Sequence, residues 1–259
     1  MWKIAGASVP GTSHVASGRP CEDASGWSSA DGLTCLVVAD GAGSRPLSGQ
    51  GSALAVQSVL TAVAQAGTPG GGDPVAWVRA ILASAHAALS EFAAGQNRDL
   101  GDYATTLAVV VLMAEGACVG QIGDTIVVVR RDGAYETVAP ARRGEYVNET
   151  VFVTDGRGVA DARITVLPAS TLDAVFLATD GLRFKILADL AATAPFPPFF
   201  DDLAAYLGSP DASADAIGRF LSGLTDDQTG DDKTLVGAVR GPGRSIAGTP
   251  SASPAAAGQ

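Results

Sequence analysis

The chain has 259 residues and a formal net charge of −10, so it is long enough for one large domain, and its charge argues against nucleic acid or an anionic membrane as partner. Although 47% of the residues are hydrophobic, no stretch approaches the ~20 apolar residues of a membrane helix, and the N-terminus lacks the pattern of a secretory signal. The three cysteines have neither the spacing of a zinc site nor the even number of a disulfide framework, so we expect a cytoplasmic protein.

The N-terminal half is predicted to contain a core strand followed by two helices. An apolar run that ends at Asp40-Gly41 is typical of a strand buried on both faces. Helical spacing of apolar residues predicts one helix over Leu47–Ala66 and a second that starts after a glycine-rich connector. Asp73 is the expected N-cap of this second helix and Pro74 its first residue.

The C-terminal half is predicted to be a run of strands followed by helices and a last strand. The predicted strands are Thr106–Met113, Ala117–Arg130, Val151–Thr154, Arg163–Leu167, Ala174–Thr179 and Leu235–Arg240. Helices are predicted over Phe199–Leu207 and Ser213–Leu224. This order indicates an α+β domain over residues 1–240, with helices covering packed sheets. The Gly-, Pro-, Ser- and Ala-rich segment 241–259 is expected to be a disordered tail.

Asp-Gly pairs that follow predicted strands have two possible meanings. Asp-Gly favours a tight hairpin turn, and this interpretation suits Asp132-Gly133, which lies between two short strands. It suits Asp40-Gly41 and Asp180-Gly181 poorly, because no alternating strand follows either pair promptly. We therefore interpret these two pairs as carboxylates delivered to a functional site.

Carboxylates are also the most plentiful candidates for chemistry. They occur in the order Glu22-Asp23, Asp40, Asp124, Asp180 and Asp231-Asp232. Two histidines and the absence of a GxxxxGK[ST] run disfavour a His-rich zinc site, a Ser-His-Asp hydrolase and a P-loop. Ligation by oxygen alone selects Mg²⁺ or Mn²⁺, so we interpret the series as a metal cluster. The alternative is that these residues are helix caps and turns.

The order of several short motifs resembles the metal-dependent protein phosphatases of the 2C type, in a divergent bacterial branch. The motifs are Glu22-Asp23, Asp40-Gly41-Ala42-Gly43-Ser44, Thr105-Thr106, Gly123-Asp124-Thr125, Thr179-Asp180-Gly181-Leu182 and Asp231-Asp232-Lys233-Thr234. Together they span about residues 5–240. The resemblance implies a four-layer αββα sandwich, in which two antiparallel sheets are flanked by helix pairs and a metal cleft lies at one end.

The resemblance also implies a set of metal ligands for two Mg²⁺ or Mn²⁺ ions. Asp40 would bridge the two ions, and the carbonyl of Gly41 would help to bind one of them. Asp180 and Asp231 would complete the shell of the other ion. Asp124 would hold a third ion, as in bacterial relatives.

Four further residues receive roles from the same resemblance. Glu22 and Asp23 would orient metal-bound water. Asp232 is a further candidate ligand, although Asp231 is preferred over it as the ligand from this motif. Arg19 would bind the substrate phosphate, the alternative being an ordinary surface arginine.

Three features depart from the family pattern. Ala42 stands where many eukaryotic members have a histidine that serves as general acid, so water would protonate the leaving group. Arg19 lies one residue closer to Glu22-Asp23 than is common, and Asp232 replaces the usual asparagine. None of the three changes removes a carboxylate ligand.

The sequence is therefore expected to encode a metal-dependent phosphoserine/phosphothreonine protein phosphatase that opposes a Ser/Thr kinase through in-line attack by a metal-bridging hydroxide. Alternatives are a catalytically inactive pseudophosphatase that acts as a regulatory binding module, and a phosphatase of small phosphoesters. Expected partners are a phosphorylated protein and the kinase, and the protein is expected to be a monomer. The segment Ala139–Asp161, which carries Arg142 and Arg143, is expected to be a mobile flap that guides phosphopeptides, or else a solvated connector.

Overall fold

The computed structural model describes residues 1–138, 150–168, 172–225 and 228–241. The strands are β1 (Trp2–Val9), β2 (Ala24–Ala30), β3 (Leu33–Ala39), β4 (Leu107–Leu112), β5 (Gly116–Ile122), β6 (Ile126–Arg131), β7 (Ala134–Thr137), β8 (Arg163–Pro168), β9 (Leu172–Ala178), β10 (Leu187–Asp189), β11 (Ala194–Pro195) and β12 (Lys233–Arg240). The α-helices are α1 (Thr12–Ser17), α2 (Ser48–Ala66), α3 (Pro74–Gly95), α4 (Arg183–Ile186), α5 (Pro197–Gly208) and α6 (Ala214–Gly223), and two 3₁₀ turns lie at Leu100–Tyr103 and Asp180–Leu182. In these described ranges, no helix has the length and apolar character needed to cross a bilayer.

Two five-stranded antiparallel sheets form the centre of the domain. The first has the order β1-β12-β9-β6-β7 and the second the order β2-β3-β4-β5-β8, while β10 and β11 form a separate small ribbon. A core cluster containing Leu36 and Val236 lies between the two sheets. Helices α2 and α3 cover the outer face of the second sheet, and α5 and α6 cover that of the first. This arrangement confirms the predicted αββα sandwich.

Strand β3 shows why a continuous apolar run is needed in such a sandwich. All seven of its residues are buried. Cys35 and Val37 pack against helices α2 and α3, whereas Leu36 and Val38 contact the opposite sheet. Because both faces of the strand are covered, its one polar side chain, Thr34, lies near the start of the strand and is paired with the Ser29 hydroxyl at 2.7 Å.

Helix α3 begins as predicted. The Asp73 side chain accepts a hydrogen bond from the Val75 N–H at 2.9 Å, and Pro74 is the first helical residue. Further along the helix, His86 Nδ1 lies 2.7 Å from the carbonyl oxygen of Val153. The histidine thus links the helix to the loop after residue 149, a structural contact.

The hairpin predicted at Asp132-Gly133 is confirmed. These residues join β6 to β7 with φ values of 50° and 79°, the left-handed conformations of a type I′ turn. A second Asp-Gly pair, Asp31-Gly32, joins β2 to β3 with φ values of 51° and 80°. The sequence analysis missed this second turn because β2 consists largely of small and polar residues and does not look like a strand.

Two strand predictions were wrong. The run Ala117–Arg130 is not one strand, because β5 belongs to the second sheet and β6 to the first. The chain crosses between the sheets at Gly123, whose φ of +96° favours glycine. Val151–Thr154 forms a loop rather than a strand, although Val153 is buried and donates its N–H to Thr105 at 2.9 Å.

Two other predictions fall largely outside the described residues. Of the expected flap, residues 139–149, including Arg142 and Arg143, are not described, and residues 150–162 form loops and turns. The expected tail is described only at Gly241, whose N–H donates to the Met1 carbonyl at 3.0 Å.

Candidate metal centre

The carboxylate motifs meet at one end of the sandwich because neighbouring strands end there. Strands β9 and β12 are antiparallel partners, and Thr179 donates its N–H to the Thr234 carbonyl at 3.2 Å, just beyond the last strand pair. The turn that contains Asp180 therefore lies beside the segment that enters β12. A Cβ atom added at Gly181 would overlap the carbonyl oxygen of Asp232, so glycine is needed for this close approach.

The backbone of Asp40 is held by two threonines from the segment that leads into β4. Asp40 donates its N–H to Thr106 Oγ1 at 3.0 Å, and its carbonyl accepts from Thr105 Oγ1 at 2.9 Å and from the Thr106 N–H at 2.9 Å. Gly41 packs so closely on the segment before β2 that an added Cβ would overlap the Glu22 carbonyl oxygen. These contacts fix the backbone of Asp40 just after β3 and so fix where its side chain begins.

The carboxyl of Asp40 lies among like charges. Partial burial raises its pKa well above the ordinary value, and the charges of four other aspartates add to this effect. These four are Asp23, Asp180, Asp231 and Asp124. Because the interaction between two charges weakens with distance, these four carboxyls lie within electrostatic reach of Asp40, and we call the five together the aspartate cluster.

Asp180 is a second member of the aspartate cluster with a shifted pKa. Partial burial raises its pKa to about 6, and the charges of Asp124 and Asp231 act in the same direction. The guanidinium of Arg183, 3.5 Å from Asp180 Oδ2, and a side-chain hydrogen bond with Asp40 act in the opposite direction. Asp40 and Asp180, the two predicted principal ligands, therefore each influence the pKa of the other.

Asp23 joins Thr179, the first residue of one motif, to Thr234, the last residue of another. Its Oδ2 accepts hydrogen bonds from Thr179 Oγ1 and Thr234 Oγ1, both at 2.8 Å. Partial burial raises its pKa to about 8, against the lowering effect of the two hydroxyls, and the charges of Asp232 and Asp231 raise it further. Through these two hydroxyls, Asp23 connects the end of β9 to the start of β12.

Asp124 and Asp231 complete the aspartate cluster. Asp124 lies where the chain crosses between the sheets, and its Oδ2 accepts a hydrogen bond from Thr150 Oγ1 at 3.2 Å. Asp231 is exposed, and its N–H donates to Thr229 Oγ1 at 3.1 Å. Its Oδ1 accepts the N–H of Asp232 at 2.9 Å. Both residues thus stand at the solvent side of the site.

Asp232, in contrast, is turned into the protein and is not arranged as a ligand. Its Oδ1 accepts the Gly11 N–H at 2.7 Å, and its Oδ2 accepts the Glu22 N–H at 2.5 Å. His14 Nδ1 also lies 2.8 Å from Oδ1, an ion-pair distance at an angle unsuited to a hydrogen bond. Asp232 is 2% exposed, so its carboxylate fastens the N-terminal segment to the site.

Glu22 and Arg19 form an ion pair at the rim. Arg19 Nη2 lies 2.5 Å from Glu22 Oε1 and 3.5 Å from the Gly43 carbonyl oxygen in the loop after Asp40. Glu22 Oε2 accepts a hydrogen bond from Ser48 Oγ at 3.1 Å. Despite its unusual spacing in sequence, Arg19 is therefore held next to the site, with 44% of its side chain exposed.

The donor set suits hard divalent cations. Its members are carboxylates, which Mg²⁺ and Mn²⁺ prefer, and a cation would relieve the repulsion that raises the pKa values of Asp40 and Asp180. In the part of the chain that the structure describes, no three His, Cys, Asp or Glu side chains are already drawn together as a ligand set.

Several residues of the site were missed by the sequence analysis. They are His14, Ser48, Thr179, Thr234 as a hydrogen-bond donor, and Arg183. Only Arg183 carried a usable signal, since a cation three residues after a candidate ligand can turn back toward it. The others act across more than 25 residues of sequence, a distance at which no local pattern is informative.

Comparison with known proteins identifies the family to which this fold belongs. The family model described as Protein phosphatase 2C matches residues 10–222. The curated protein Serine/threonine-protein phosphatase 3 of Escherichia coli (strain K12) is 30% identical over 247 residues, which cover 90% of this chain and 96% of that protein. The chain belongs to the protein phosphatase 2C family.

Solved structures agree on the fold. The serine/threonine phosphatase Stp1 from Staphylococcus aureus has a TM-score of 0.66 and 17% identity, with 93% of this chain and 96% of that chain covered. The catalytic domain of the serine threonine protein phosphatase PstP, in complex with two manganese ions, has a TM-score of 0.61 and 20% identity, with 92% and 97% covered. At these identities the likeness shows the shared architecture.

Proposed function

We propose that this protein is a phosphoserine/phosphothreonine protein phosphatase that depends on Mg²⁺ or Mn²⁺. The observation that carries the proposal is the aspartate cluster, in which Asp40, Asp180, Asp231 and Asp124 influence one another at the end of the sandwich. The E. coli relative is named as a serine/threonine phosphatase, and the PstP domain is described with two manganese ions. The substrate is a phosphorylated protein, and a Ser/Thr kinase supplies the phosphate.

Five residues would hold the metal ions. The carboxylates of Asp40, Asp180, Asp231 and Asp124 and the carbonyl of Gly41 would supply the oxygen ligands. When bound, such ions lower the pKa of a coordinated water and neutralise charge in the transition state of phosphoryl transfer. The protein supplies the oxygen ligands and holds them by the threonine contacts described above.

The remaining residues position the substrate and exclude other mechanisms. Arg19, held by Glu22, presents an exposed guanidinium that would bind phosphate oxygens as a fork. A covalent cysteine mechanism is disfavoured, because burial raises the pKa of Cys21, as do the charges of Asp23 and Asp232. A thiol with a raised pKa is a poor nucleophile.

The test compares two Asp-Gly pairs. Asp180→Asn keeps the shape of the side chain but removes a charge from the cluster, so the turnover of a phosphothreonine peptide with Mn²⁺ should fall by about 100-fold or more. Asp132→Asn changes an exposed hairpin residue of the same kind and should leave turnover unaltered. Circular dichroism establishes that both variants are folded.

Chelation of metal should abolish turnover by the wild-type protein, and added Mn²⁺ should restore it. Turnover that persists in excess chelator, or an Asp180→Asn protein as active as wild type, would refute the proposal.

A further inference from the structure

Arg183 has no role in the function proposed so far, yet it lies at the aspartate cluster. It follows Asp180 by three residues, at the first position of α4, and its Nη1 lies 3.5 Å from Asp180 Oδ2. The side chain is 46% exposed. Its guanidinium lies 4.9 Å from the ring centroid of Phe184, a distance typical of a cation–π contact. The arginine is therefore supported on one side and open to solvent at the rim of the site.

The charge of the site shows why a second arginine at the rim would help to bind the substrate. With two divalent ions bound, their charge would balance the four ionised aspartates Asp40, Asp124, Asp180 and Asp231, so the site in that state would have little net positive charge. A phosphate monoester carries a charge of about −1.5 to −2 at neutral pH. Binding of this dianion therefore gains from guanidinium groups at the rim, which match the geometry of phosphate oxygens.

The two arginines at the rim differ in how firmly they are held. Arg19 lies 2.5 Å from Glu22 Oε1, while Glu22 is 8% exposed and also bound by Ser48. Arg183 lies 3.5 Å from Asp180, a loose pairing. A divalent ion on Asp180 would cancel the charge that attracts Arg183, and the guanidinium would then be available to another anion.

We infer that Arg183 is a substrate-binding residue that contacts the phosphoryl group of the phosphomonoester, in addition to the contact made by Arg19. This inference rests on the proposed function, since it assigns the residue to the same site. Because the phosphoryl group is common to all substrates, Arg183 contributes equally to the binding of a phosphopeptide and of a small aryl phosphate.

The experiment measures phosphate binding separately from turnover. Inorganic phosphate is titrated calorimetrically into Mn²⁺-saturated wild-type, Arg183→Gln, Arg183→Lys and Arg219→Gln proteins. The last is the matched control, an exposed arginine on α6. Loss of a charge-assisted hydrogen bond should weaken phosphate binding by about tenfold in Arg183→Gln. Lysine should restore part of the affinity, because it retains charge without the fork.

Steady-state kinetics should show the same change. KM for a phosphothreonine peptide and for para-nitrophenyl phosphate should rise together in Arg183→Gln, by a similar factor, whereas Arg219→Gln should match wild type.

Two results would overturn the inference. One is unchanged phosphate affinity in Arg183→Gln. If the affinity of this variant for Mn²⁺ were altered at the same time, Arg183 would only screen the charge of Asp180. The other is a loss confined to the peptide, or shared by Arg219→Gln. A wild-type protein without turnover would defeat the proposed function instead, and the phosphate titration would still decide the role of Arg183.

Discussion

Asp23 lies in an environment that is at odds with a free carboxylate. Its Oδ2 is bound by Thr179 and Thr234, yet partial burial and neighbouring charges raise its pKa from 3.8 to about 8. Asp180 is raised to about 6 for similar reasons. Both groups bind a proton more tightly in the folded protein than in the unfolded chain.

This difference predicts how the stability of the metal-free protein depends on pH. A raised carboxyl pKa contributes stability that is fully present below the unfolded value near 4 and is lost as pH rises through the folded value. The melting temperature in excess chelator should therefore fall as pH increases from about 5 to about 8.5, the range spanned by the raised pKa values of Asp180 and Asp23. Differential scanning fluorimetry at constant ionic strength measures this change.

Variants assign the effect to individual residues. Asp23→Asn cannot titrate, so the upper part of the decline should flatten. Asp132→Asn, in the exposed hairpin, should reproduce the wild-type profile. A melting temperature that stays level or rises over this pH range in the metal-free protein would contradict the assignment.

At the residue scale, the motif order named the candidate carboxylates but not how each of them is held. The motif order predicted that Asp40, Asp180 and Asp231 would lie near one another, because each adjoins a core strand. Asp232 could not be separated from Asp231 in this way. Its partners Gly11 and Glu22 lie more than 200 residues away along the chain, and only the packed structure brings them together.

At the scale of elements, the site depends on how closely two connections approach each other. The 3₁₀ turn after β9 packs on the segment that enters β12, and Gly181 is the point of contact. A Cβ atom there would overlap the backbone of Asp232, which cannot move without disturbing its hydrogen bonds to Gly11 and Glu22. The same contact thus serves both the fold and the site.

Gly181→Ala should therefore lower both stability and activity. Forcing backbone atoms apart typically costs about 1–3 kcal/mol or more, so the free energy of unfolding should fall by at least ~2 kcal/mol. Chemical denaturation measures this loss. The control is Gly95→Ala at the end of α3, where an added Cβ meets nothing within 4 Å. Because alanine is the better helix former by roughly 1 kcal/mol, this control should be neutral or stabilising. Equal stability of Gly181→Ala and wild type would show that the connection is not tightly packed.

The same scale shows where strand prediction failed. The run Ala117–Arg130 is apolar throughout, so periodicity alone gives no boundary, and the break comes from Gly123, with φ +96°. Conversely, β1 and β2 were missed because they are only partly buried at the edges of their sheets and lack a long apolar pattern. Buried central strands and amphipathic helices were predicted well, because burial on one or both faces requires a recognisable pattern of apolar residues.

At the scale of the whole molecule, the sandwich holds like charges together at one end. Three core clusters, one between the sheets and two beneath the helices, fix the strand ends whose loops carry the aspartates. Hydrophobic burial thus outweighs local repulsion, and a cation that binds only the folded state should add stability. This addition follows RT ln(1 + [L]/Kd), or ~2.7 kcal/mol at a hundredfold excess over Kd.

Mn²⁺ or Mg²⁺ should accordingly raise the melting temperature of the wild-type protein, and chelator should reverse the rise. Asp40→Asn should lose most of this response, because the charge of Asp40 couples to four other aspartates. Asp132→Asn should retain it. Scanning calorimetry over a series of metal concentrations gives the size of the shift and its midpoint.

The thermal response and turnover together separate an enzyme from a binding module. Stabilisation by metal with turnover of phosphopeptides is the expected result. Stabilisation without turnover on several phosphoserine and phosphothreonine peptides would identify a pseudophosphatase, which keeps the metal but has lost the reaction. If folded wild-type protein showed neither response, the aspartate cluster would not be a metal site, and its raised pKa values would reflect repulsion that the fold tolerates without any ion.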